Sequence, residues 1–242
     1  MDVAPSVGAE TPSHGGHRDI SGGAARAAVF GISDGLLSNV SLILGVAGAH
    51  PSAPLIRLAG LAGLVGGAFS MALGEYVSMR AQKELFEREI AIEAREIDLH
   101  AAAETRELAK LYEQRGVPEE LALQVSDYLM RDPAIALSLH AQEELGVHPD
   151  AIGSPWQAAG SSFVAFAVGA FLPLVAWFFT TGSTGVWLSV LIAGLATPGI
   201  GVLLAYFTGR GYLRSAIRQL TLAAIGSGVT YLVGHLIGYS VR

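Results

Sequence analysis

Two Glu-x-x-Glu pairs, Glu93/Glu96 and Glu104/Glu107, stand in one charged stretch, REIAIEAREIDLHAAAETRELAKL. Residues three apart on a helix share a face, so each pair can converge on one cation. At about 100° per residue, Glu89, Glu93, Glu96, His100, Glu104 and Glu107 all fall within roughly 80° of one another. Carboxylates this close repel without a counter-cation, and Arg95, Arg106 and Lys110 project elsewhere. A solvated acidic face is the plainer reading of the same stripe. Further along, His140, Glu143 and Glu144 could close a cation site from across a helical bundle.

A second group of acids lies in apolar surroundings. Asp34 sits inside FGISDGLLSNVSLILGV. A carboxylate there costs a few kcal/mol to insert in a bilayer, so it should face a cavity, a partner or an ion. No cationic residue sits in mid-span to pair with it, which favours a cation or a proton. The alternative is a packing acid bonded to Ser33, Ser38 or Asn39. Met71 and Glu75 are one turn apart in GGAFSMALGEYVSM. A carboxylate and thioether site tolerates Fe2+, Mn2+, Co2+ or Zn2+ and suits Mg2+ or Ca2+ less well. Against this, Glu75 could pair at the interface with Arg80 or Lys83, and Met71 could be core filler. His235 shares a face with Tyr231 and could relay protons or simply pack. His14 and His17 lie in a tail that reads as solvated.

The elements that must carry these residues are apolar. Of the 242 residues, 51% are hydrophobic and 15% charged, a balance that suits a polytopic membrane protein. Five apolar stretches, near 25–49, 55–79, 158–180, 185–207 and 217–239, each reach the ~20 residues that span a bilayer core. Pro173 and Pro198 are expected to kink theirs. The pairs Gly31/Gly35, Gly63/Gly67 and Gly234/Gly238 point to close helix packing. The acids are segregated, with 16 of 21 in residues 84–150 beside 6 of 15 bases. That middle argues for cations and against nucleic acid as partners. With no cysteine, disulfides, thiolate ligands and thiol catalysis are excluded.

The expected fold class is all-α: a polytopic membrane protein with five transmembrane helices and a three-helix domain inserted between helices two and three. The expected parts are a disordered tail (1–17), helices one and two (18–80), an acidic metal-binding helical domain (81–157) and helices three to five (158–242). Arg18, Arg26, Arg80, Lys83, Arg210, Arg214 and Arg218 fall on one side, and only Arg57 and Arg242 on the other. The positive-inside rule then makes the N-terminus and the acidic domain cytoplasmic and puts the C-terminus on the outer or lumenal side. One helix over 55–112 would be about 85 Å long, so a break is expected between Glu96 and Glu104, folding the two pairs together. Gly116, Pro118 and Asp132-Pro133 punctuate the helices that follow.

The segments ISDGLLSNVSLILGVAGA and SMALGEYVSMRAQKE, followed by an acidic domain and three more spans, resemble the vacuolar iron transporter family from about residue 17 to 242. The resemblance implies a homodimer in the lipid bilayer with an ion pathway between the two first helices. It implies export of Fe2+, often Mn2+ too, from the cytoplasm in exchange for protons. Asp34, Met71 and Glu75 match positions lining that pathway. Glu93, Glu96, Glu104, Glu107 and Glu144 match the cytoplasmic metal-binding carboxylates in spacing. Plant members carry a Met-Met pair shortly before the last glutamate, where this chain has His140-Ala141. Two soft ligands are lost and an imidazole stands in their place.

The leading expectation is therefore a divalent-metal/proton antiporter for Fe2+, Mn2+ and other divalent transition metals. It is not an enzyme and has no prosthetic group. A di-iron ferroxidase is the first alternative, but such enzymes use Glu-x-x-His pairs, and Glu96 and His100 stand four apart. A metal sensor without transport is the second, and the unpaired intramembrane Asp34 argues against it.

Overall fold

The computed structural model describes residues 23–144, 146 and 153–240. The N-terminal tail with His14, His17 and Arg18, and Arg242 at the other end, lie outside the described residues. The described residues form helices and no strand: α1 (Gly23–Gly48), α2 (Ala53–Gln114), α3 (Glu119–Leu129), α4 (Pro133–Glu144), α5 (Pro155–Leu174), α6 (Ala176–Phe179), α7 (Gly182–Thr208) and α8 (Tyr212–Ser240). Five of them, α1, α2, α5, α7 and α8, are long and apolar enough to cross a membrane.

α1 is the central helix, packed by α5, α8, α2 and α7. Its buried residues, among them Ala27, Gly31, Gly35, Asn39 and Ile43, recur every four positions and turn one ridge inward. Among lipid tails, helices gain little from apolar burial alone, so small residues that let backbones approach are favoured. Gly31 and Gly35 lie against the α5 backbone at Ser162 and Phe166, and Gly234 of α8 lies against Gly45. Gly63 and Gly67 instead receive side chains, Leu42 and the Phe166 ring. The buried Asn39 donates from Nδ2 to the Ala170 carbonyl at 2.6 Å, pinning α1 to α5.

α2 runs 62 residues, about 93 Å at 1.5 Å per residue. Pro54 stands in its first turn, where a missing N–H costs nothing. The helix departs from helical geometry at one residue, His100 (φ −130°, ψ 31°), inside the interval where a break is expected. The piece beyond the apolar part packs with α3 and α4. Gly116, at φ 93°, closes its end in a conformation other residues resist. The Asp132 carboxylate accepts from the Ala134 and Ile135 amides at 2.9 and 3.3 Å, capping α4 with Pro133 at its first position. Small buried residues, Ala122, Ser126, Ala136 and Ala141, let α3 and α4 lie close to Leu108 and Ala109 of α2.

The two span prolines behave differently. α5 stops at Leu174, one residue after Pro173, and the chain resumes as the short α6. The freed Pro173 carbonyl accepts from Ser189 Oγ of α7 at 2.7 Å. α7 runs unbroken through Pro198.

The glycine contacts separate two substitutions that look alike in sequence. A Cβ at Gly35 would collide with the Phe166 carbonyl, whereas one at Gly66 meets nothing within 4 Å. Gly35→Val is expected to destabilise the detergent-solubilised protein by about 1–3 kcal/mol. Gly66→Ala is expected to be neutral or slightly stabilising. Thermal unfolding followed by loss of the monodisperse size-exclusion peak distinguishes them.

Candidate metal centre

The kink at His100 and the packing of α4 bring four side chains together. Glu93, Glu104, His140 and Glu144 each offer one ligand atom, all within 4.8 Å of one another. Glu93 and Glu104 come from α2 on either side of His100, and His140 and Glu144 from one face of α4, four residues apart. The His140 side chain is fully buried. Its Nδ1 lies 3.1 Å from Glu93 Oε1, 3.3 Å from Glu144 Oε1 and 3.8 Å from Glu104 Oε2.

One ring nitrogen carries at most one hydrogen, and three carboxylates face it. Hydrogen-bond geometry is met toward Glu144. Glu93 Oε1, though within ion-pair distance, is off that direction and is left buried without a donor. Burial chiefly, then the charge of Glu144, pushes the Glu93 carboxyl above its ordinary range, with His140 opposing. Burial chiefly, then Glu107, does the same at Glu104. A cluster with more buried acceptors than donors, and with carboxyls that resist ionising in its absence, is the electrostatic complement of a cation. Oxygen with one imidazole suits the first-row divalent ions.

The remaining acids of the stripe have other surroundings. Glu96 accepts or shares a hydrogen with His100 Nδ1 at 2.9 Å, on the exposed side of the kink. Glu107 is exposed, yet close enough for its charge to act on Glu93 and Glu104. Glu143 does not face the cluster. Its two oxygens take both guanidinium nitrogens of Arg115, one at 2.7 Å, and this pairing holds its carboxyl below the usual range. Neighbours on a helix point about 100° apart, so Glu143 and Glu144 cannot both serve one site.

Asp34, Met71 and Glu75 have separate partners within the chain. Asp34 accepts from Ser38 Oγ at 3.0 Å, the local bond weighed above as an alternative. Met71 packs beside Ala68, Phe166 and Ala170. Glu75 pairs with Arg26 of α1 at 2.6 Å. Arg80 and Lys83, the cations expected beside it, instead bind Glu84 and Glu87 one turn on. Arg26 was legible only as a charge on the same side as Arg80; its reach to Glu75 is a tertiary fact. His235 stacks edge-on against His50, ring centroids 5.9 Å apart.

Five membrane-length helices and an acidic bundle holding a cation-shaped cluster define a class: helical integral membrane proteins that handle metal ions. The family model described as VIT family matches residues 25–235, and the chain belongs to that family. It is 33% identical over 218 residues to the "Vacuolar iron transporter" of Acanthamoeba castellanii, covering 87% of this chain and 77% of that one. It is 32% identical over 240 residues to "Vacuolar iron transporter homolog 1" of Oryza sativa subsp. japonica (98% and 84%). With "Vacuolar iron transporter 1" of Arabidopsis thaliana it shares 29% over 210 residues (86% and 84%). These relatives are named as transporters, not as enzymes.

The raised carboxyls make a pH prediction. A carboxyl whose folded pKa exceeds its unfolded one contributes stability that is present below the unfolded value and lost as pH rises through the folded one. The metal-free protein is therefore expected to lose stability from Glu93 and Glu104 as pH climbs above the ordinary carboxylate range. Glu93→Gln flattens that loss, and so does added Mn2+, which favours the ionised forms. Thermal melts at pH 4.5 and 7, with and without Mn2+, check both.

Proposed function

We propose that the protein exports Fe2+, and also Mn2+, from the cytoplasm in exchange for protons. The observation that carries this reading is the cluster of Glu93, Glu104, His140 and Glu144, built around the buried His140, in a chain whose relatives are named iron transporters. In this reading the piece of α2 beyond its apolar part, with α3 and α4, forms a three-helix cytoplasmic domain. The positive charges on Arg26, Arg80, Lys83, Arg210, Arg214 and Arg218 support that orientation.

The cytoplasmic carboxylates, Glu96 and Glu107 included, raise the local cation concentration, and Glu93, Glu104, His140 and Glu144 take up the ion. It then passes, stripped of most of its water, to Met71, Glu75 and Asp34. A proton arriving at Asp34 from the opposite side neutralises the carboxylate and weakens its hold, which releases the ion. Asp34 is only partly buried within the protomer. A second copy facing α1 would enclose it, so the working unit is a homodimer. The selectivity order follows from the donors: oxygen and imidazole in the cluster, with one thioether at Met71, hold Fe2+, Mn2+, Co2+ and Zn2+ in preference to Ca2+.

The test is flux into proteoliposomes carrying a pH gradient and an internal metal reporter. Wild-type protein is expected to move Fe2+ and Mn2+ only with the gradient, and Asp34→Asn to lose at least 90% of that flux (about 1.4 kcal/mol per tenfold). Undiminished flux in Asp34→Asn contradicts the role given to that carboxylate.

A further inference from the structure

The Glu75 pair has a lopsided setting. The Glu75 side chain is 15% exposed and that of Arg26 is 68% exposed, yet they meet at 2.6 Å. The carboxylate is fixed in the protein, whereas the guanidinium reaches it from the open ridge of α1 that lines the proposed pathway, and can swing back into that pathway at lower cost than a buried partner. No neighbouring base competes for Glu75, since Arg80 and Lys83 are engaged with Glu84 and Glu87. Arg26 also stands on one ridge of α1 with Phe30, Asp34 and Ser38, each four residues on. Phe30 and Ser38 are exposed on it and Asp34 is partly so. Eight residues, about 12 Å of helix, separate Arg26 from Asp34, and the acidic bundle lies at the Arg26 end.

We infer that Arg26 is a latch: its guanidinium occupies Glu75 in place of a divalent cation, and an arriving ion must displace it to reach Met71 and Asp34. This deepens the transport reading and rests on it. Arg26 touches no substrate in this role; it acts through Glu75 by setting how readily that carboxylate accepts an ion. A pair that merely docked α1 on α2 would be expected to bury both partners. Here the docking at that end is already supplied by Ala27, Met79 and Ala158 from α1, α2 and α5.

The test is initial-rate uptake of Fe2+ and Mn2+ in proteoliposomes by wild type, Arg26→Ala and Arg26→Lys. Removing the latch lowers KM by up to about fivefold, the scale of a pair with one exposed partner. Lys keeps the charge but not the planar fork, so its KM falls between the two. If the Ala variant does not reach the membrane, Arg26→Gln is expected to show the same fall. A docking role would lower Vmax, leave KM unchanged or raised, and be restored by Lys; that pattern overturns the latch. Absence of flux in wild type overturns the transport reading itself, and is seen before any variant is compared.

Discussion

The structure turns on a mismatch of hydrogen-bonding capacity. Around His140, three carboxylates compete for one ring nitrogen, and Glu93 is left with a buried oxygen that nothing donates to. Such an arrangement costs stability in the absence of a cation. It is held where α4 packs on α2, with His140 fully buried, Glu93 and Glu104 largely so, and Glu144 at the exposed edge.

The kink at His100 is what makes this geometry available. On a straight helix, Glu93 and Glu104 stand eleven residues, about 16 Å, apart along the axis. One residue out of helical conformation lets the two halves of the stripe converge on α4. At the other end of the same helix, the continuous backbone joins the acidic bundle to Met71 and Glu75. α2 is thus both the stem of the bundle and a wall of the span packed on α1.

Much of the fold was legible in sequence because its signals are local. Apolar runs marked five spans, Asp132-Pro133 marked the start of α4, and the length of α2 argued for a break, although no residue between Glu96 and Glu104 signals one. The paired carboxylates, Glu96 among them, were found by helical spacing, and Glu143 was grouped with His140 and Glu144 by proximity in sequence. What spacing cannot report is which neighbour from another element claims a side chain. Arg115 takes Glu143, and Arg26 rather than Arg80 takes Glu75. These pairings depend on how α1, α2 and α4 dock, and no periodicity encodes that. The same limit applies to Pro173 and Pro198: one ends a helix where Ser189 can accommodate the freed carbonyl, and the other is carried within α7.

Transport by this route requires that Glu93, Glu104, His140 and Glu144 hold the ion. An equilibrium Mn2+ titration of the purified full chain, followed by the loss of the free-ion paramagnetic signal, measures this. One saturable site per chain is predicted, weakened at least about tenfold, or roughly 1.4 kcal/mol, in Glu104→Gln and unchanged in Glu143→Gln. Equal affinity in wild type and Glu104→Gln would contradict it.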